Sequence, residues 1–427
     1  MKKFILAAAC ILLGLTGAFA QEGQDDILNG KEKIMWNSTW NNFFCEDTNI
    51  FYDYINSFNK ADRFKLFPTP EEIKAEIPNK MGYYTGMENA CLNADMILIG
   101  LLEKYKAIKD ISLANYASKI FSGIINCTLE HPNKGFVIRG KSPFDNKSFY
   151  PVTSRDQITH AVHGIWSFYN SGLSSQEEKS IAKEAAEAIA DYMIKQVTPE
   201  NNYDVCDYYG RRPDNNIVKT LTKMWNVEPH EAARLPMVYI VAYKISGKQK
   251  YLDEYKKHID DAIEQTSLVK DNVVPWGHFQ MHLSLATIYE AESDPAIKSR
   301  IKELLKKSAL MAQKKMPIVV RKWKENEKKW NDMKSESFAS SDWRDSPDDA
   351  KKWSASRKQF YNTWLASEAP TYMALCMIIG NTVEIDDGTK QLFRDFIIAN
   401  DYEKIPTVGG VGFNLTLYWT AKSNNLL

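Results

Sequence analysis

Apolar residues recur at three- and four-residue spacing along nearly the whole chain. Met96, Ile97, Ile99, Leu101, Leu102 and Tyr105 make one continuously apolar helix, whereas Ile181, Ala185, Ala188, Ile189, Tyr192, Met193 and Val197 fall on one side of another. Short extended pieces are expected only near 135–138 and 273–275, so the pattern predicts an almost entirely helical protein. The helices alternate in kind. Segments near 83–106, 156–170, 232–246, 277–292, 361–379 and 410–422 are small and apolar on all sides. Each of the first five is followed by an amphipathic segment with Lys and Glu on one face, near 112–130, 175–196, 249–266, 295–315 and 387–400. Helices apolar all round belong inside and amphipathic ones outside. The last inner helix lacks a partner, and an amphipathic helix predicted over 47–60 would supply it by pairing the two chain ends. The expected fold is therefore all-α, an (α/α)6 toroid of six helical hairpins in one domain over 21–427. An open solenoid of helix pairs is the competing arrangement.

In such a ring the inner helices all point the same way, so their N-terminal ends share one mouth. Those ends carry the unusual residues. The first opens with Tyr83-Tyr84-Thr85-Gly86-Met87-Glu88-Asn89, and the second with Thr153-Ser154-Arg155-Asp156-Gln157, followed by His160 and His163. The third opens with His230-Glu231-Ala232-Ala233-Arg234, and the fourth with Trp276-Gly277-His278-Phe279-Gln280, followed by His282. The fifth carries Trp364 and Ser367-Glu368, and the sixth follows Gly409-Gly410-Val411-Gly412. That glycine run has no strand before it and no Lys after it, so it reads as a tight helix entry rather than a phosphate loop.

The chain has 427 residues, with 54 basic and 54 acidic ones. A balanced charge argues against a protein that condenses on nucleic acid. Lys2 and Lys3, the apolar run 4–15 and the small residues of Ala18-Phe19-Ala20 form an export leader over 1–20. An anchor on Cys10 would leave too short an apolar core. No later stretch has the about 18 apolar residues of a membrane span, so the expected location is periplasmic or secreted. The remaining cysteines, Cys45, Cys91, Cys127, Cys206 and Cys376, are scattered and read as buried small hydrophobes. Eleven Trp, 21 Tyr and 19 Phe offer both core and sugar-stacking surface. The stretch 317–360, dense in Lys, Glu and Trp, reads as a long outer helix and then a polar loop.

Each mouth residue has a structural reading as well. Asp156 and Glu88 suit the first turn of a helix, and Ser154 suits an N-cap. Glu231 and Arg234 are spaced to pair on one helix face. His163 lies on an apolar face. His278 and His282 are four apart, but no HExxH pattern surrounds them, so no metal is expected.

The leader, the aromatic-rich helix pairs and the two runs at 84–89 and 153–157 together resemble the six-hairpin glycosidase-like superfamily, as found in secreted proteins of Bacteroides-type gut bacteria. That superfamily includes unsaturated glucuronyl hydrolases, which place acidic catalysts at the starts of inner helices. The resemblance implies comparable places for Glu88 and Asp156, with Asp156 as the proton donor. It is a glycoside hydrolase that these readings favour. Asp156 would protonate the leaving oxygen while Glu88 or Glu368 activates water or stabilises positive charge. Arg155 and Arg234 would hold a uronate carboxylate, and His160, Glu231, Trp276, His278, Gln280, Tyr84 and Trp364 would line the rest of the sugar site. No cofactor is called for. Two other readings stand beside it. One is a polysaccharide lyase, with His160 or Tyr84 taking a proton. The other is a glycan-binding protein without catalysis.

Overall fold

The computed structural model describes residues 23–213, 221–332, 342–345 and 355–427. The leader at 1–20 lies outside the described residues. The helices, in chain order, are α1 (23–38), α2 (Pro70–Lys74), α3 (Ala90–Ile108), α4 (Leu113–Thr128), α5 (Arg155–Asn170), α6 (Gln176–Gln196), α7 (Arg234–Ser246), α8 (Gln249–Ser267), α9 (Pro275–Ala291), α10 (Pro295–Asp332), α11 (Ala355–Ile378), α12 (Asp387–Ala399) and α13 (Val408–Ser423). The extended structure described is a two-residue hairpin, Phe44–Cys45 against Ile50–Phe51.

Local chemistry sets the helix ends. Ser175 and Glu178 form a reciprocal capping box at α6. The side chains of Ser154, Asp386 and Thr407 cap α5, α12 and α13. Pro275 opens α9, and Gly247 closes α7 in a left-handed conformation.

Packing then sorts the helices into two rings. Every residue of α13 from Val408 to Ala421 is buried. The outer helix α8 buries a single stripe: Tyr251, Tyr255, Ile259, Ala262, Ile263 and Thr266. Among the described residues, α3 packs on α5, α5 on α7, α7 on α9, α9 on α11, α11 on α13, and α13 back on α3. That cycle is closed, so the fold is an all-α (α/α)6 toroid and not an open solenoid. The closing contact is tight: a Cβ on Gly100 of α3 would come within 2.7 Å of the Thr416 Cα on α13. The five described cysteines are all buried and unbridged.

The predicted helix over 47–60 is not there. The outer partner of the last inner helix is α1. Arg394 of α12 pairs with Asp25 at 2.8 Å, Lys104 of α3 pairs with Glu32 at 2.9 Å, and Trp419 of α13 also donates to Glu32. Trp36 meets Tyr116 of α4 edge to face, so α1 bridges the two ends of the outer ring. Residues 50–56 instead run extended and fully buried. Their backbone is satisfied by neighbouring segments: Asp53 N–H donates to Gly86, Ile55 N–H to Pro406, and Val408 N–H to Asp53. A short apolar run fits a buried strand-like thread as well as a helix face, which is why periodicity misassigned it.

The expected long outer helix appears as α10. Of the polar loop, only 342–345 is described. Trp343 is buried there and donates to the Leu66 carbonyl, and Arg344 makes a two-pronged pair with Glu72. Trp343 braces residues 66–72 and does not line the cavity at the mouth. No described helix is long and apolar enough to cross a membrane.

Candidate active site

The loop 83–89 before α3 folds back on its own carboxylate. Tyr84 takes a left-handed φ of +71°, a conformation costly for a side chain that size. The turn aims the N–H groups of Tyr84 and Thr85 at Glu88, at 3.1 and 3.2 Å. Behind Glu88 lies Asp53, which accepts the Glu88 N–H at 3.2 Å and the Asn93 amide at 2.8 Å. Burial pushes the Glu88 carboxyl up, and its backbone donors and the Arg139 charge pull part of that back. Burial pushes Asp53 up further, and the Glu88 charge adds to it.

Arg139 arrives from the connection between α4 and α5. Its carbonyl accepts the Ala90 N–H at 2.9 Å, which fixes it at the start of α3. Its guanidinium stands 4.9 Å from the centre of the Tyr83 ring.

Arg155 and Asp156 occupy the first turn of α5. Gln157 reaches across to α3, accepting the Cys91 N–H at 3.1 Å and donating to Asn89 at 3.2 Å. The α7 end supplies the centre of the charge network. Arg234 is fully buried, donates to Asp156 at 2.7 Å and to the Gln280 oxygen at 2.7 Å, and sets its Nε in an ion pair against Glu231. The other Glu231 oxygen receives Arg155 at 3.3 Å and His230 at 3.2 Å. Burial alone would raise Glu231. The charge of Arg234, with His230 and Arg155, outweighs burial and holds it well below the usual carboxylate range.

One layer beneath the mouth, Asp95 of α3 receives His160 Nδ1 and His163 Nδ1, each at 2.7 Å. The Gln280 amide nitrogen meets His160 Nε2 at 3.4 Å. Since Gln280 accepts from Arg234 through its oxygen, its nitrogen is the donor to His160, and Nδ1 carries the proton given to Asp95. Burial pulls His163 down, but the Asp95 carboxylate outweighs it and holds the imidazole above its usual value.

These ends enclose a cavity of about 300 Å³. Tyr83, Tyr84, Glu88, Asn89 and Arg139 form one wall, and Arg155 and Asp156 the next. His230, Glu231 and Arg234 follow, with Trp276 and Gly277 of α9 beside them. The sequence therefore placed Tyr84, Glu88, Arg155, Asp156, Glu231, Arg234 and Trp276 where they meet.

Other candidates lie elsewhere. Glu368 is buried on α11 against Gly409, whose missing Cβ leaves room for the carboxylate, and it accepts from Tyr372 at 3.2 Å. It does not line the cavity. His278 and His282 both turn outward to the Ser308 hydroxyl of α10, each at 2.9 Å. Burial pulls them to about 3 and about 4, so they are neutral core imidazoles and His278 is no sugar ligand. His160 and Gln280 sit below the lining as supports. The Trp364 side chain lies outside the described residues. Arg155 and Arg234 already face carboxylates of their own chain, so the expected uronate clamp is occupied from within.

The sequence reading passed over Asp53, Asp95 and Arg139. Asp95 did leave a signal, a carboxylate in the middle of an otherwise apolar helix. Asp53 was hidden in the misassigned segment, and Arg139 belongs to a loop with no pattern.

No family model matches the chain, and no curated protein matches it. Among solved structures it is similar to a sugar epimerase from a ruminal bacterium, at 15% identity and a TM-score of 0.42, over 66% of this chain and 71% of that one. It is also similar to the alpha-1,6-mannanase of Salegentibacter sp. HEL1_6, at 12% identity and a TM-score of 0.36, over 68% and 88% of the two chains. An inactive variant of that mannanase in complex with alpha-1,6-mannotriose aligns at 11% identity and a TM-score of 0.35, over 66% and 85%. Such likeness concerns the winding of helices, and the chemistry has to come from the cavity's own side chains.

Proposed function

We propose that the chain is an exported glycoside hydrolase whose working pair is Glu88 and Asp156. One observation carries this reading. Two carboxyl groups in opposed surroundings share a cavity walled by the aromatic rings of Tyr83, Tyr84 and Trp276. Glu88 is buried and pushed toward its protonated form. Asp156 is partly exposed and accepts from Arg234. Such opposition separates a general acid from a general base. Glu88 gives its proton to the glycosidic oxygen as that bond to the anomeric carbon breaks. Asp156 takes a proton from the water that adds to the same carbon. The aromatic faces hold the sugar ring. These roles reverse the one that the family resemblance implied for Asp156, because Glu88 is the carboxyl that burial shifts toward its protonated form.

A lyase fits less well. His160, one of the two bases that reading calls on, is bonded on both nitrogens beneath the lining. The test is a panel of plant and host glycans with the purified protein, followed by new reducing ends and by ultraviolet absorbance. Hydrolysis gives the first without the second, whereas elimination gives both. Turnover that survives unchanged in both Glu88→Gln and Asp156→Asn would end the proposal.

A further inference from the structure

Three arginines face the cavity, and they differ in one respect. Arg234 gives its two terminal nitrogens to Asp156 and Gln280, and Arg155 gives its own to the Lys223 carbonyl and Glu231. Arg139 gives none. It is 3% exposed, its Nε is buried without an acceptor, and no described residue accepts a hydrogen bond from its guanidinium. Its contact is the face of Tyr83, which offers no lone pair in the plane of the fork. A guanidinium has five N–H donors and stays charged. Withdrawing it from water without acceptors is costly, so a buried, unsatisfied arginine at a cavity wall calls for an acceptor from outside.

The surroundings favour an anion over a neutral hydroxyl. Glu231 and Asp156 offset the charges of Arg155 and Arg234. The carboxyls nearest Arg139 in charge, Glu88 and Asp53, make no hydrogen bond to it. Both are pushed toward their neutral forms by burial. Among the described residues no carboxylate pairs with Arg139, so its charge is open to an anion from outside.

We propose that Arg139 is the substrate-reading residue of the cavity and docks an anionic substituent, a carboxylate or a sulfate, on the sugar that Tyr83 and Trp276 hold. A fork of two parallel N–H donors matches two oxygens of either group. The inference rests on the carbohydrate reading of this cavity, and it deepens that reading by naming the class of sugar.

The test measures binding, so it does not depend on turnover. Ligand-observed NMR titrations of the full chain would use D-glucuronate, D-galacturonate, D-glucose 6-sulfate and neutral D-glucose. The wild type should bind at least one anionic probe more tightly than glucose, and more weakly as salt is raised. Arg139→Lys keeps the charge and loses the fork, and Arg139→Gln loses both. Each should weaken the anionic probe by about ten- to a hundredfold while leaving glucose unchanged. Uronates binding without the sulfate would identify a carboxylate, and the converse a sulfate ester. Thermal melts check folding, and if Arg139→Gln does not fold, Arg139→Lys decides. The proposal is overturned if no anionic probe outbinds glucose, or if Arg139→Lys binds the anionic probe like the wild type. Arg139-dependent binding without hydrolysis of any glycan would leave this inference standing and remove the hydrolase. Hydrolysis of neutral glycans, indifferent to Arg139, would do the opposite.

Discussion

Arg234→Met tests the charge network most directly. Methionine matches the aliphatic stem and removes the fork. It strips the buried partner from Glu231 through Nε, from Asp156 at 2.7 Å and from the Gln280 oxygen at 2.7 Å. Removing one partner of a buried ion pair costs about 3–5 kcal/mol, because the remaining charge stays buried and unpaired. For a chain of 427 residues, an unfolding entropy of about 2.1 cal/mol/K per residue converts that loss into a fall in Tm of about 3–6 °C. The pH dependence has a definite sign. Glu231 is held well below its unfolded value, so its contribution is present above about pH 4.3 and is lost as pH falls toward its folded pKa. The variant lacks that contribution. The gap between the two proteins should therefore be widest near neutral pH and should close in acid. Thermal melts by circular dichroism at neutral pH and at about pH 2 would read both effects. A variant melting within about a degree of wild type at neutral pH, or a gap that widens in acid, would refute the assignment of Glu231 and Arg234 as a stabilising pair.

Three further outcomes are expected. Glu88→Gln should fold like the wild type and lose about a hundred- to ten-thousandfold in hydrolysis rate. The wild-type rate should fall as pH rises through the raised Glu88 pKa, and the variant should lack that limb, which a pH–rate profile checks. Gly409→Ala should lower stability by about 1–3 kcal/mol, because the added methyl overlaps the Glu368 carboxylate; alanine inside a helix otherwise stabilises, so a higher Tm would contradict the packing. Asp95→Asn should lower His163 toward or below its usual pKa, visible in an NMR titration. His163 is raised by Asp95, so its contribution is full below about pH 6.5 and is lost as pH rises through the folded value. Asp95 is itself lowered, so its share is lost only in acid. The stability gap should be largest between about pH 4 and 6.5, and a gap that grows toward alkaline pH would argue against the pairing.

Periodicity carried the toroid because its two kinds of helix bury different fractions of their surface. α13, buried throughout, and α8, with its single stripe, read differently in any window of the sequence. The shared mouth followed from parallel inner helices, and with it most of the cavity. What stayed illegible depends on connections. Residues 50–56 are buried on all sides, so their apolar run has no face to declare a period. Arg139 sits at the wall because its carbonyl accepts from Ala90, a contact between the start of a helix and a loop after its neighbour. His278 stands at a helix start like the others, but one turn of the helix aims it at Ser308, on the outer side. Position along the axis was readable; rotation about it was not, in a helix apolar all round.

The geometry also decides which substitutions can report on chemistry. A continuous polar chain runs from Asp95 through His160, Gln280 and Arg234 to Asp156. Any break in it changes both the shape of the site and the stability of the ring, since each member is donor or acceptor for the next. A slower reaction in Gln280→Ala or Arg234→Met would therefore mix positioning with catalysis. Glu88 stands outside that chain. Its carboxylate is held by N–H groups of its own loop, and an amide can keep one of those bonds while giving up the transferable proton. Loss of rate in Glu88→Gln with an unchanged melt, set against an Arg234→Met protein that loses both, would separate the group that moves the proton from the scaffold that aims it.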